Sequence, residues 1–174
     1  MTKTEIIAQL IGIFGILSLF VMYQQSSRTK YLAFKILSDV IWAAHYLLLG
    51  AIGGAIPNAV GIVRELTFLK EPKKRYARHI LAAMFITVNA SLAIYLADSL
   101  IQLMPICASA LVTVSLTFRK TKSIRLLTVP ICLTFLIYDL LVGSWSGAIN
   151  EAISLFSIIS KLIREHCSQK KLNL

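Results

Sequence analysis

Charge is scarce in this sequence. Asp, Glu, Lys and Arg together make up 15% of its residues, against about a quarter in an ordinary soluble domain. Of the 174 residues 57% are hydrophobic and the mean hydropathy is +0.75, so a water-soluble fold of this size is excluded for want of interior to hold them. Acidic residues number only 8 against 18 basic ones, a net charge of +10. A nucleic-acid binder gathers such cations on one face beside a packed core, whereas here they punctuate long apolar runs. Cysteine is sparse too. Cys107, Cys132 and Cys167 have neither CxxC nor zinc-like spacing, which leaves them no redox or metal role. The sequence has no G-x-S-x-G, H-E-x-x-H, P-loop or Rossmann fingerprint. Its nearest approach to a catalytic set, Asp39 with His45, lies six residues apart on poorly matched helix faces. These absences point away from an enzyme, a metal, a cofactor and a nucleic-acid partner, and toward a membrane protein.

What is present is a series of apolar runs, each long enough for the ~17–20 residues that span a bilayer. Seven are expected: Glu5 to Gln24, Tyr31 to Gly50, Gly53 to Leu69, Tyr76 to Ala97, Ser99 to Phe118, Ser123 to Val142 and Ser144 to Ile163. The first ends in Tyr23-Gln24-Gln25 without a small-residue cleavage site and reads as a retained helix. The third is short and carries Pro57, Asn58 and Arg64, so hydropathy alone leaves six or seven spans. Charge decides for seven. With that number every Lys and Arg except Lys3 falls on one side, including Lys35, counted with the first link, and the groups around Lys73, Arg119 and Lys170. Since basic loops are retained in the cytoplasm, the amino terminus is expected outside and the carboxyl terminus inside. The basic face should attract anionic lipid headgroups.

A repeat underlies the series. Residues 47–56, LLLGAIGGAI, lie over residues 140–149, LLVGSWSGAI, at a constant offset of 93. The shared pattern LLxGxxxGAIxxA ends at Ala59 and Ala152. The implied organisation is a three-helix unit over residues 1–71, a linker helix over 72–98 and a second three-helix unit over 99–174. An odd linker turns both triplets the same way through the bilayer, giving two parallel bundles (3+1+3) with a cavity between them at the midplane.

Trp42 four residues before Tyr46, followed by Pro57-Asn58-Ala59-Val60-Gly61, resembles the SWEET and PQ-loop sugar-transporter superfamily. The chain length, the LLLGA turn and the Asn58 to Arg64 spacing are more closely similar to the YgjV-type bacterial inner membrane proteins. The resemblance implies a bacterial inner membrane location and a substrate cavity lined by Trp42 and Asn58, with Phe135, Asn150 and Glu151 offered by the second unit. Two departures stand out. Tyr23-Gln24 replaces the Pro-Gln of the first helix, and Phe135 with Glu151 replaces a neutral sugar-lining pair. Depth arithmetic independently places Trp42 and Asn58 in one layer, each 11 residues from the cytoplasmic end of its helix at about 1.5 Å per residue.

Polar groups within the spans are the remaining clues, because an unpaired charge in hydrocarbon is costly. Asp39 and Arg64 have similar depths and are expected to form an ion pair that either locks the bundle or gates it. Glu151 either caps its helix or couples transport to a proton or cation. His45 reads as interfacial or packed and, with Tyr46, as a possible cavity wall. Asp139 reads as near the external surface, and Tyr138 and Trp145 as interface aromatics. Two functions follow: a small-solute transporter or facilitator, its cavity bounded by Trp42, Asn58, Asn150 and Glu151, or a non-transporting structural or regulatory membrane protein.

Overall fold

In the computed structural model, residues 2–24, 28–70, 75–115, 117–118 and 121–172 are described. The basic links at Lys73, Lys74, Arg119 and Lys120 lie outside them. Seven α-helices follow one another: α1 (Lys3–Gln24), α2 (Arg28–Leu48), α3 (Ile52–Leu69), α4 (Arg75–Leu96), α5 (Met104–Ser115), α6 (Thr121–Leu141) and α7 (Trp145–Leu172). A 3-10 turn, Leu100–Leu103, leads into α5. The described residues contain no strand. Among the described residues two helices are long and apolar enough to cross a bilayer, over Lys3–Met22 and Tyr76–Leu96, while Leu100–Ser115 and Leu126–Leu141 are shorter apolar helices. Lys35, expected in a loop, lies two turns inside α2.

Local chemistry sets the ends. Thr2 and Glu5 form a reciprocal capping box at the start of α1, Thr2 N–H donating to Glu5 Oε2 (3.0 Å) and Glu5 N–H to Thr2 Oγ1 (3.2 Å), which satisfies two otherwise orphaned donors. α2 stops at Gly50 and α6 at Gly143, whose φ angles are +68° and +71°. Behind each, an N–H closes back five residues, Ala51 to the Tyr46 carbonyl (2.9 Å) and Ser144 to the Asp139 carbonyl (2.8 Å). This is the Schellman cap, whose left-handed residue is glycine because it has no Cβ to clash. Helices α2 and α6 begin and end 93 residues apart, and α3 and α7 begin 93 apart.

The helices pack in a ring. Each of α1–α2, α2–α3, α3–α5, α5–α6, α6–α7 and α7–α1 is a packed pair, and α4 lies outside the ring against α3 and α5. The backbones of α2 and α6 do not approach each other among the described residues. They face across the ring axis, joined only by side chains.

Burial is inverted relative to a soluble protein. Asp39, His45, Arg64, Glu65, Asn89 and Asp139 are buried, whereas Phe14, Phe20, Ile94 and Phe156 are more than 60% exposed. An apolar exterior of this extent around a polar interior suits hydrocarbon, where the interior is the only place polar groups find partners.

A polar column on the ring axis

Capping places the first residues of the site. In both Schellman caps the carbonyl that accepts the long closing bond belongs to the residue that faces the axis, Tyr46 on α2 and Asp139 on α6. The two side chains meet there, Tyr46 Oη donating to Asp139 Oδ1 at 2.7 Å. Asp139, expected near the surface, is 1% exposed, and Tyr138, expected at the interface, is fully buried. Tyr138 Oη accepts from the Gly54 N–H at 2.8 Å. The His45 ring spans the gap between the Ala8 carbonyl (2.7 Å) and Ser144 Oγ (2.8 Å). Gln9 fastens α1 to α7, its Nε2 donating to the Gly143 carbonyl and its Oε1 accepting from Ser146 N–H and Oγ, all at 2.9 Å.

Small residues allow this approach. A Cβ on Gly54 would run into the Tyr46 ring, one on Gly147 into the Asp139 carboxyl, one on Gly53 into the Gln102 backbone and one on Gly12 into Ser146. Gly54 and Gly147 are 93 residues apart, as are Tyr46 and Asp139, so the same close contact is made twice. The other two contacts also correspond: Gln9 meets Ser146, and the position 93 after Gln9, Gln102, abuts Gly53, the position 93 before Ser146.

Below this layer Trp42 packs edge-on to His45, with ring centroids 5.2 Å apart, and lies against Gly15. Asn58 commits its amide to the Gly54 carbonyl on its own helix (2.8 Å). Asn150 donates to Glu151 Oε1 (3.0 Å), and the buried Cys132 thiol lies near the same carboxylate. Glu151 lies beyond the first turn of α7, so the cap reading does not hold. Phe135 is half-buried on α6.

The deepest layer is ionic. Lys35 pairs with Asp39 one turn along α2 and lies 3.9 Å from Glu65 Oε1. Arg64 grips Glu65 with two bonds, Nε to Oε2 (2.9 Å) and Nη2 to Oε1 (3.1 Å). Its Nη1 crosses to α5, donating to Thr113 Oγ1 (2.9 Å) and Ser109 Oγ (3.3 Å). Asn89 of α4 donates to the same Ser109 hydroxyl at 2.6 Å. Asp39 and Arg64 therefore share a cluster but form no direct ion pair, since each has a nearer partner of opposite charge. Sequence reasoning missed those partners, Lys35 and Glu65. The signal was the i, i+4 spacing of Lys35 and Asp39, which suits a helical ion pair. Five buried oxygens keep no hydrogen-bond partner among the described residues: Ser38 Oγ, Asp39 Oδ2, Asn89 Oδ1, Gln102 Oε1 and Asp139 Oδ2. Away from the axis, an open depression of about 340 Å³ lies between α4 and α5, lined by Ile94, Ala97, Asp98, Ser99, Leu100 and Leu103.

An apolar exterior around a column of buried charge defines an integral membrane protein with a polar core. The bacterial inner membrane protein family Imp-YgjV matches residues 6–169, and the chain belongs to that family. No curated protein and no solved structure matches it.

Proposed function

We propose that the chain is a transporter or facilitator of a small polar solute in the bacterial inner membrane. Its seven helices act as spans, arranged as two parallel three-helix bundles joined by α4, and it works by alternating access. The observation that carries the reading is the six-helix ring in which α2 and α6 face across an axis filled by polar side chains. A protein that only anchors itself in lipid gains nothing from burying Asp39, His45, Arg64, Glu65 and Asp139 there, because each is costly to desolvate.

The contacts divide into two closures. At one end the units meet through Tyr46–Asp139, His45–Ser144, Tyr138–Gly54 and Gln9–Ser146. The bonds between neutral groups are worth only about 0.5–1.5 kcal/mol net each and the Tyr46–Asp139 bond about 1.5–3 kcal/mol, so the set can separate when a solute binds the other state better. At the opposite end Arg64 ties α3 to α5. Rocking one bundle against the other would break these closures in turn. In this reading the Arg64 end, with the carboxyl terminus and the basic loops, lies in the cytoplasm facing anionic headgroups, and the Tyr46 end lies outside. Trp42, Asn58, Asn150 and Glu151 lie between the closures as substrate-binding candidates. One observation favours the other reading, a structural or regulatory membrane protein: Arg64 is saturated by Glu65, Ser109 and Thr113, as a static lock would be.

Uptake into vesicles holding the purified protein separates the two. In a chain lacking its native cysteines, Gln9→Cys with Ser146→Cys is joined by a short reducible crosslinker. Saturable uptake by the reduced protein, lost on crosslinking and regained on reduction, is the expected result. Absence of uptake for every small polar solute tried, with and without a pH gradient, overturns transport.

A further inference from the structure

Charge is unevenly distributed along the column, and the imbalance bears on what the site accepts. In the deepest layer two cations, Lys35 and Arg64, face two carboxylates, Asp39 and Glu65, and the four are linked by ion pairs. Nearer Gly50 and Gly143, Asp139 and, one layer below it, Glu151 lie within electrostatic range of each other and of Tyr46. Among the described residues the hydrogen-bond partners of these two carboxylates are neutral, Tyr46 for Asp139 and Asn150 for Glu151. Lys35 is within electrostatic range of Glu151, but its ammonium is held by Asp39. Asp139 is 1% exposed and its Oδ2 accepts no hydrogen bond.

A second, independent feature lies beside them. Trp42, Tyr46 and Tyr138 form one buried cluster, with the Tyr46 ring 6.0 Å from each of the other two. The face of an aromatic ring attracts a cation, most of all one removed from water, and aromatic enclosures are a recurrent means of holding quaternary ammonium groups. A sugar can donate its hydroxyls to the carboxylates but leaves their buried charge unmatched, and an anion is repelled. A positive charge gains from both features at once.

Resting on the transport reading for its route, we propose that the axial site takes a small organic cation, an amine or quaternary ammonium. Asp139 and Glu151 receive its charge, and Trp42, Tyr46 and Tyr138 receive its alkyl groups. The balanced inner cluster then serves the closure at its own end, and selectivity resides in the layers nearer Gly50 and Gly143.

The test uses choline and its neutral isostere 3,3-dimethylbutan-1-ol, titrated calorimetrically into the full-length protein in lipid nanodiscs. Choline is expected to bind saturably and at least about tenfold more tightly than the isostere. Asp139→Asn and Glu151→Gln should each weaken choline about tenfold or more and leave the isostere unchanged, with size-exclusion profiles matching the parent protein. Should either variant misfold, the comparison of the two ligands on the unaltered protein decides alone. Equal binding of choline and isostere, or no binding of choline, overturns the proposal. Flux in vesicles separates this failure from that of the transport reading. Uptake of a neutral polyol indifferent to both carboxylates sinks the cation site and leaves transport standing, whereas saturable choline binding without flux upholds the cation site and sinks transport.

Discussion

Arg64 shows how much one buried cation organises. It is 3% exposed, takes both oxygens of Glu65 through its fork and still reaches Ser109 and Thr113 on another helix. Lysine, a point charge with one nitrogen, cannot satisfy that set. Removing the cation alone leaves Glu65 buried without its nearest partner, and broken buried pairs cost about 3–5 kcal/mol. Arg64→Ala should therefore lower the melting temperature in detergent more than the double change Arg64→Met with Glu65→Met, which removes both charges. A double variant as unstable as the single would show that the pair is not the source of the effect. Residue type alone was enough to single out Asp39, Arg64, Asn150 and Glu151, because a polar group in an apolar run announces itself. Their partners were not legible. Depth along two helices gives height but not azimuth, so Asp39 and Arg64 matched in height while the nearer Lys35 and Glu65 took them.

At the scale of elements, helix ends carry the site. Gly50 and Gly143 adopt positive φ, and a Cβ at either would meet nothing within 4 Å. Substitution there tests backbone strain alone, a penalty of roughly 1–2 kcal/mol. Gly54 and Gly147 are the opposite case, helical glycines whose Cβ would press on Tyr46 and Asp139. Gly50→Ala and Gly143→Ala should cause small, equal losses of thermal stability, and Gly54→Val and Gly147→Val larger ones that also disrupt the Tyr46–Asp139 bond. Equal losses at all four glycines would show that close packing at the axis is not what residues 54 and 147 provide. The glycine pattern was fully legible, since LLxGxxxGAI occurs twice. Its consequence was not, because a turn signal does not reveal that the residue four before each glycine faces its counterpart across a ring.

For the whole molecule, the prediction concerns direction. In the proposed topology the basic loops share one face and the two chain ends lie in opposite compartments, which tags at residue 1 and residue 174 would report through their accessibility in intact cells. An amino-terminal tag reached from the periplasm and a carboxyl-terminal tag reached only after lysis is the expected outcome. Both tags on the same side would remove the parallel arrangement and the axial pathway with it. The order of helices and the offset of 93 follow from the sequence, because hydropathy and glycine placement act locally along the chain. The ring, the position of α4 outside it against α3 and α5, and the division of the column into a balanced and an unbalanced layer were decided only by tertiary packing. Those features depend on which face each helix turns inward, a choice set by side chains distant in sequence meeting where lipid offers no alternative partner.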